Sequence, residues 1–278
     1  LIWCASDMRA KGFMIGGTAG RTTLNGEGLQ HQDGHSLLNA MAFPTVRAYD
    51  PAFAYEIAVI VLDGMKKLYV DGETAIYYLT TENENYEMPA IPEGVEDGII
   101  RGMYPLSSVE AKGETRVQLF GSGAIVRSVL GAQKILAERY NISSDAWSVT
   151  SYTELRRDAQ TCERWNMLHP TEPRRQSYVE TQLEGRTGPF IAASDYVRAL
   201  PEQIQSWIPG DYFVLGTDGM GRSESRERLR RHFEVDAECV TLATLFRLSR
   251  LGQIDASVVQ QAIQDLDIDP EKVNPLYA

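Results

Sequence analysis

The sequence predicts an α/β chain built on mainly parallel sheets, and three observations carry that expectation. Apolar β-branched or aromatic runs alternate with helical periodicities along all 278 residues. Helices lie between successive strands with short first connections, as parallel βαβ units require. Apolar residues make up 43% of the chain against 23% charged, a balance that buries real cores.

The elements follow in chain order. "LIWCASDMRA" opens on an apolar run with neither a Met nor a basic signal-peptide start, so residue 1 is not expected to be the natural beginning. "PTVRAY" (44–49) leans to β-structure. The next stretch predicts a helix with Asp50 as N-cap and Pro51 at its first position. Ala54, Ile57, Ala58, Val61, Leu62 and Met65 keep helical spacing there. "TAIYYLTT" (74–81) reads as a buried strand. From Glu82 to about Leu106, prolines and glycines without periodicity predict a linker. "RVQLFGSG" (116–123) is a strand with a glycine turn, followed by an amphipathic helix carrying Ile125, Val129, Ala132, Ile135 and Leu136 on one face. Strands are then expected over 145–155, 188–196 and 211–219, and helices over 223–233, 236–252 and 255–268, the last with Asp255 as N-cap.

Charge and cysteines narrow the function classes. A net charge of −11 argues against nucleic acid as a partner, which would call for a basic face. No apolar run is long enough to predict a membrane span. Cys4, Cys162 and Cys239 are far apart and form no CxxC pair, which fits free thiols in a reducing, cytoplasmic setting.

Several motifs fail when tested. "IGGTAGRT" has Ile15 and Arg21 where a phosphate loop needs Gly and Lys. "GSG" at 121–123 lacks the third glycine of a dinucleotide fingerprint and reads as a tight βα turn. His31 and His35 in "HQDGH" are spaced like zinc ligands, but Gly34 interrupts a helix and Gln32 stands where a zincin has Glu. No GxSxG is present for a nucleophile elbow. His169 and His232 sit in polar or charged surroundings and read as surface or structural residues. What remains is a glycine-spaced loop carrying Asn25, Glu27, His31, Gln32, Asp33 and His35. On its residues alone it is either a solvated turn or a loop where His31 and a nearby carboxylate exchange protons at a site between domains.

The segments "IGGTAGRTTLNGEGLQHQDGHS", "YYLTTENENYEMPAIPEG", "GSGAIVRSV", "CERWNMLHP" and "LGTDGMGRSESRERLRRHFEVDAECV" resemble the homodimeric pyruvate dehydrogenase family. This is the thiamine-dependent decarboxylating component of the bacterial pyruvate dehydrogenase complex, within the transketolase superfamily. The resemblance covers essentially the whole chain. It implies that residues 1–88 end a pyrimidine-binding middle domain, 89–106 link, and 107–278 form a transketolase C-terminal-type domain with a mainly parallel mixed sheet. It implies thiamine diphosphate and Mg²⁺ in a longer parent, pyruvate as substrate, a homodimer, and a lipoyl-bearing dihydrolipoyl acetyltransferase as partner.

By the same resemblance His31, in "GEGLQH", lies at the active site and assists proton transfer, with Glu27 tuning it. Asp33, His35 and Asn25 are supporting loop residues. The superfamily's magnesium motif, Gly-Asp-Gly with a later Asn, is missing from these residues, and "GTDGMG" around Asp218 is only a superficial likeness. The stretch holding the Glu that activates the aminopyrimidine is missing too. The chain alone is therefore expected to be inactive and to contain no metal ligands. Two other functions stand beside this one: a non-catalytic dimerisation or complex-assembly module of the same enzyme, and a transketolase or another 2-oxo acid dehydrogenase.

Overall fold

The computed structural model describes residues 1–278. The first part runs α1 (Ile2–Asp7), β1 (Gly12–Gly16), a long loop, α2 (Ser36–Ala40), β2 (Val46–Tyr49), α3 (Ala54–Met65) and β3 (Ile76–Thr80). Its three strands form a parallel sheet in the order β1-β3-β2, with Gly12 and Val46 both opposite Ile76. β3 takes the centre because its residues suit burial on both faces: the neighbours Ile76 and Tyr77, which point to opposite faces, are both buried. The parallel β2–α3–β3 unit is as the sequence predicts.

The start of α3 corrects an expectation. Asp50 is not its N-cap and Pro51 is not its first residue, because the helix begins at Ala54. The Asp50 carboxylate is drawn across the sheet, where it accepts a 2.6 Å hydrogen bond from the Thr80 hydroxyl. Residues 51–53 stay outside the helix and are buried, and Glu56 caps from inside it by accepting from the Phe53 and Ala52 N–H groups. The six apolar positions noted above do keep helical spacing, yet the buried row of α3 is Glu56, Ile60 and Gly64. Gly64 lets Phe13 and Tyr77 approach so closely that a Cβ there would lie 2.8 Å from the Phe13 ring. Leu62 and Met65 face outward, at 67% and 50% exposure, followed by Tyr69 and Val70 on a terminal π-turn over Lys66–Val70.

After an extended stretch come α4 (Glu96–Arg101), β4 (Tyr104–Val109), β5 (Arg116–Gly121), α5 (Val126–Tyr140), β6 (Ser143–Ser148), α6 (Tyr152–Leu168), α7 (Tyr178–Leu183), β7 (Phe190–Ala193), α8 (Ala199–Glu202), β8 (Tyr212–Leu215), α9 (Arg226–His232), α10 (Ala237–Arg250) and α11 (Ala256–Asp265). The second sheet has the order β4-β6-β5-β7-β8, parallel except for β4, which runs antiparallel to β6. The strand expected over 145–155 ends at Ser148. Ser151 then caps α6 by accepting the Glu154 N–H at 3.0 Å, so Tyr152 to Leu155 are helical. β1, α2, α4, β4, α6, α7 and α8 have no counterpart among the predicted elements, and α4 with the start of β4 falls in the stretch read as a linker.

α5, α10 and α11 cover one face of this sheet through a core that includes Val129, Leu136, Leu245 and Ala262. The opposite face belongs to a core of 23 residues that joins the two sheets, with Val46, Ala48 and Ile76 packed in one cluster with Phe120, Trp147 and Phe190. Polar contacts stitch the same seam. Asp50 N–H donates to the Thr150 carbonyl at 2.7 Å, and the Ser151 hydroxyl to that of Ala48 at 2.6 Å. Glu56 Oε1 accepts both Ser148 and Tyr104 hydroxyls at 2.6 Å. No helix is long and apolar enough to cross a membrane.

Candidate active site

The loop over residues 17–35 leaves the C-terminal end of β1, the end where open parallel sheets hold ligands. It first runs beside the tip of β3, where Thr81 N–H donates to Gly16 at 2.8 Å. It then crosses toward β7, burying Thr22, Thr23 and Leu24, and emerges at Asn25. Leu29–His31 form a single 3₁₀ turn.

Of the sequence-predicted residues, His31 and Glu27 are brought together. The imidazole Nδ1 lies 3.2 Å from Glu27 Oε2, and both side chains are about half exposed. Nδ1–H donating to the carboxylate leaves Nε2 free to accept or, once protonated, to donate outward. An ion pair so exposed adds little stability, so what it contributes is orientation.

The supporting residues divide. Asp33 folds back on its own chain, accepting the N–H groups of His35 at 3.0 Å and Ser36 at 2.9 Å, and so starts α2. The Ser36 hydroxyl donates to the same carboxylate and accepts from Tyr78 at 2.9 Å. Asn25 and His35 are exposed, and neither side chain hydrogen-bonds to Glu27 or His31. Gln32, next to His31, is buried at 4% exposure with its amide pointed into the second part of the chain. Asp218 of "GTDGMG" serves the fold by accepting the Arg198 N–H at 3.0 Å.

Beneath the loop lie three acids, Asp50, Glu82 and Asp195, that sequence reasoning did not assign to a site. Asp195 follows β7, is 2% exposed, and accepts the Thr22 N–H at 3.1 Å through Oδ2 while Oδ1 has no partner. Burial pushes its carboxyl up to about 7 against the pull of Arg230, with Asp50 adding repulsion. Asp50, after β2, is pushed up to about 6 by burial, opposed by the Thr80 hydroxyl. Glu82, after β3, is driven well above the carboxylate range by burial and by Asp50, and accepts the Tyr86 hydroxyl at 2.7 Å. The signal for the two aspartates was present in "VRAYD" and "IAASD", where an acid stands within two residues of an apolar strand's end. No group of three or more His, Cys, Asp or Glu side chains is arranged to hold a metal ion. Cys4, Cys162 and Cys239 are all free thiols.

Two family models match parts of the chain. Residues 1–89 match the family of the pyruvate dehydrogenase E1 component middle domain, and residues 102–236 match the transketolase-like TK C-terminal domain. The pyruvate dehydrogenase E1 component of Escherichia coli (strain K12) is 53% identical over 280 residues, which cover 100% of this chain and 31% of that protein. That of Pseudomonas aeruginosa is 53% identical over 277 residues, covering 99% and 31%. The Haemophilus influenzae protein is 48% identical over 281 residues, covering 100% and 32%. The chain thus spans about a third of the length of these curated relatives. Among solved structures, a transketolase from Pichia stipitis in complex with a sugar phosphate superposes with a TM-score of 0.59 at 15% identity, over 85% of this chain and 30% of that one. A split-gene transketolase described as an inactive β4 tetramer gives 0.55 at 15% identity, covering 85% and 67%. At such identities the likeness is one of fold.

Proposed function

We propose that this chain, related over its whole length to the C-terminal region of bacterial pyruvate dehydrogenase E1 components, supplies one wall of that enzyme's active site and its C-terminal domain. Residues 1–88 are read as the end of the pyrimidine-binding domain, 89–106 as the linker and 107–278 as the C-terminal domain. The parent decarboxylates pyruvate oxidatively on thiamine diphosphate in the cytoplasm, acts as a homodimer, and passes the acetyl group to the lipoyl group of an acetyltransferase partner. The observation that carries the reading is the His31–Glu27 pair, half exposed on a loop at the C-terminal rim of a parallel sheet.

The residues present fit the reacting end of such a cofactor and not its diphosphate. An accessible imidazole backed by a carboxylate suits the carbonyl oxygen of a 2-oxo acid. The acids of the chain make no cage for a divalent ion, so Mg²⁺ and the diphosphate are assigned to the rest of the parent. When bound, thiamine diphosphate supplies the carbon nucleophile and electron sink that pyruvate lacks. His31 would hold a proton at the carbonyl oxygen of the bound 2-oxo acid through Nε2. Glu27 keeps the ring oriented and Nδ1 protonated. Asp33 fixes the loop's exit, and Asn25 and His35 flank the opening.

In the full-length parent, His31→Ala is expected to cut turnover of pyruvate by on the order of a hundredfold or more, with folding intact. Unchanged turnover would remove His31 from the site. Rates on pyruvate, 2-oxoglutarate and sugar phosphates distinguish this enzyme from a transketolase or another 2-oxo acid dehydrogenase. Calorimetry of the chain alone with thiamine diphosphate and Mg²⁺ should show no tight binding. A second reading, a module for dimerisation or complex assembly, is favoured by the outward apolar residues Leu62, Met65, Tyr69 and Val70 of α3 and its terminal turn. Both roles are compatible in one chain.

A further inference from the structure

The loop that carries His31 has little to hold it in shape. It is spaced by glycines, its only regular element is one 3₁₀ turn, and the Glu27–His31 pair is half exposed. A catalytic imidazole needs its position fixed to a fraction of an ångström. The support comes from late in the sequence, residues 221–230.

Five contacts define this support. The Gln32 amide grips one residue's main chain from both sides: Oε1 accepts the Arg222 N–H at 2.6 Å, and Nε2 donates to the Arg222 carbonyl. Gly26 N–H donates to the Glu224 carbonyl at 3.2 Å. Arg226 Nε donates to the Thr23 carbonyl at 2.6 Å, and Arg230 Nε to the Thr22 hydroxyl at 3.2 Å. Arg230 is itself held by Glu84, which Arg127 also pairs at 2.7 Å. Last, Gly221 lies flat against the turn, so that a Cβ there would stand 2.8 Å from the Leu29 carbonyl and 3.0 Å from Gln32 Oε1. The contacts bracket His31 on both sides, from Thr22 to Gln32, and three of the four hydrogen-bonded loop positions offer backbone groups or a buried amide that has no other partner.

We propose that the 221–230 segment of the C-terminal domain is the positioning element of the active site, acting on His31 through Gln32 and Gly221. This rests on the reading of His31 given above. It assigns the C-terminal domain a part in turnover beyond assembly, although none of its residues need touch pyruvate or cofactor. Gln32 and Gly221 are positioning residues. Removing either leaves the binding groups in place but lets the imidazole wander.

The test uses the full-length enzyme with three variants. Gln32→Met keeps the length and loses both hydrogen bonds. Gln32→Glu keeps the acceptor for Arg222. Gly221→Ala pushes on the turn from the other side without adding or removing a functional group. Gln32→Met and Gly221→Ala are expected to lower kcat by on the order of tenfold to a hundredfold, while KM for pyruvate moves by about twofold or less. Gln32→Glu should recover part of the loss. Amide hydrogen exchange in peptides over residues 20–35 should accelerate in the first two variants and not in the core strands. Unchanged exchange would show that the segment does not hold the loop. Accelerated exchange with full kcat would show that holding the loop has no catalytic consequence. Either result overturns the proposal. Full turnover of His31→Ala instead defeats the reading of the site, a different measurement on a different variant.

Discussion

Glu56 has no exposed surface, yet it carries four hydrogen bonds: from the Ala52 and Phe53 N–H groups and from the Ser148 and Tyr104 hydroxyls. Burial raises its carboxyl above the usual range while those donors oppose the rise. Glu56→Gln keeps an acceptor for the helix start and should cost about 1 kcal/mol, whereas Glu56→Leu orphans four donors and should cost about 3 kcal/mol or more, read by denaturant unfolding. Asp195 gives a pH prediction. Its carboxyl sits at about 7 in the folded chain against an ordinary value of 3.8. The folded form therefore holds a proton that the unfolded chain has released, so its contribution is full below the ordinary value and is lost as pH rises through the folded one. Thermal melting should move to lower temperature between about pH 5 and about pH 8, and Asp195→Asn should flatten that slope. His31 and Glu27 were legible through the family resemblance; the loop's residues alone leave a solvated turn and a proton-exchanging site both open. The burial of Glu56 was not legible, since the hydroxyl that meets it comes from 92 residues further along the chain, as the Glu56–Ser148 bond shows.

At the scale of elements, strands were read well where the side chains are β-branched or aromatic, as in 76–80 and 190–193. α6 was lost because "VTSYT" extends the preceding strand's character across a helix start. The correct boundary was encoded in Ser151 and Glu154, spaced as in a capping box. α3 was placed but its buried row was not, because apolar residues occupy both sides and only the packing against Phe13 and Tyr77 selects one. The turn after β5 is bound more tightly than a generic βα connection. Gly123 has φ of +48°, and a Cβ would stand 2.7 Å from the Asp50 carboxylate. Gly123→Ala should therefore destabilise the chain by about 2 kcal/mol, from left-handed backbone cost plus displacement of a buried acid. A shift in the denaturation midpoint with unchanged slope would bear this out; no shift would mean the seam is soft at that point.

For the molecule as a whole, the sequence suggests two units in series, and the structure has two sheets with one core between them. Val46 and Ile76 from the first lie in the same cluster as Trp147 and Phe190 from the second. Such a core cannot be exposed on one side alone, so fluorescence and far-UV circular dichroism should report a single coincident unfolding transition. Two separated transitions would show that the sheets are energetically independent. Sequence periodicity sees only neighbours along the chain, and a core shared across a hundred residues leaves no periodic trace.

That shared core has a practical corollary. Residues 87–91 are exposed and belong to no helix or strand, so the covalent link there contributes little to holding the halves together. Two polypeptides severed in this stretch and expressed side by side should find each other and co-purify, recognising one another as a subunit recognises its mate.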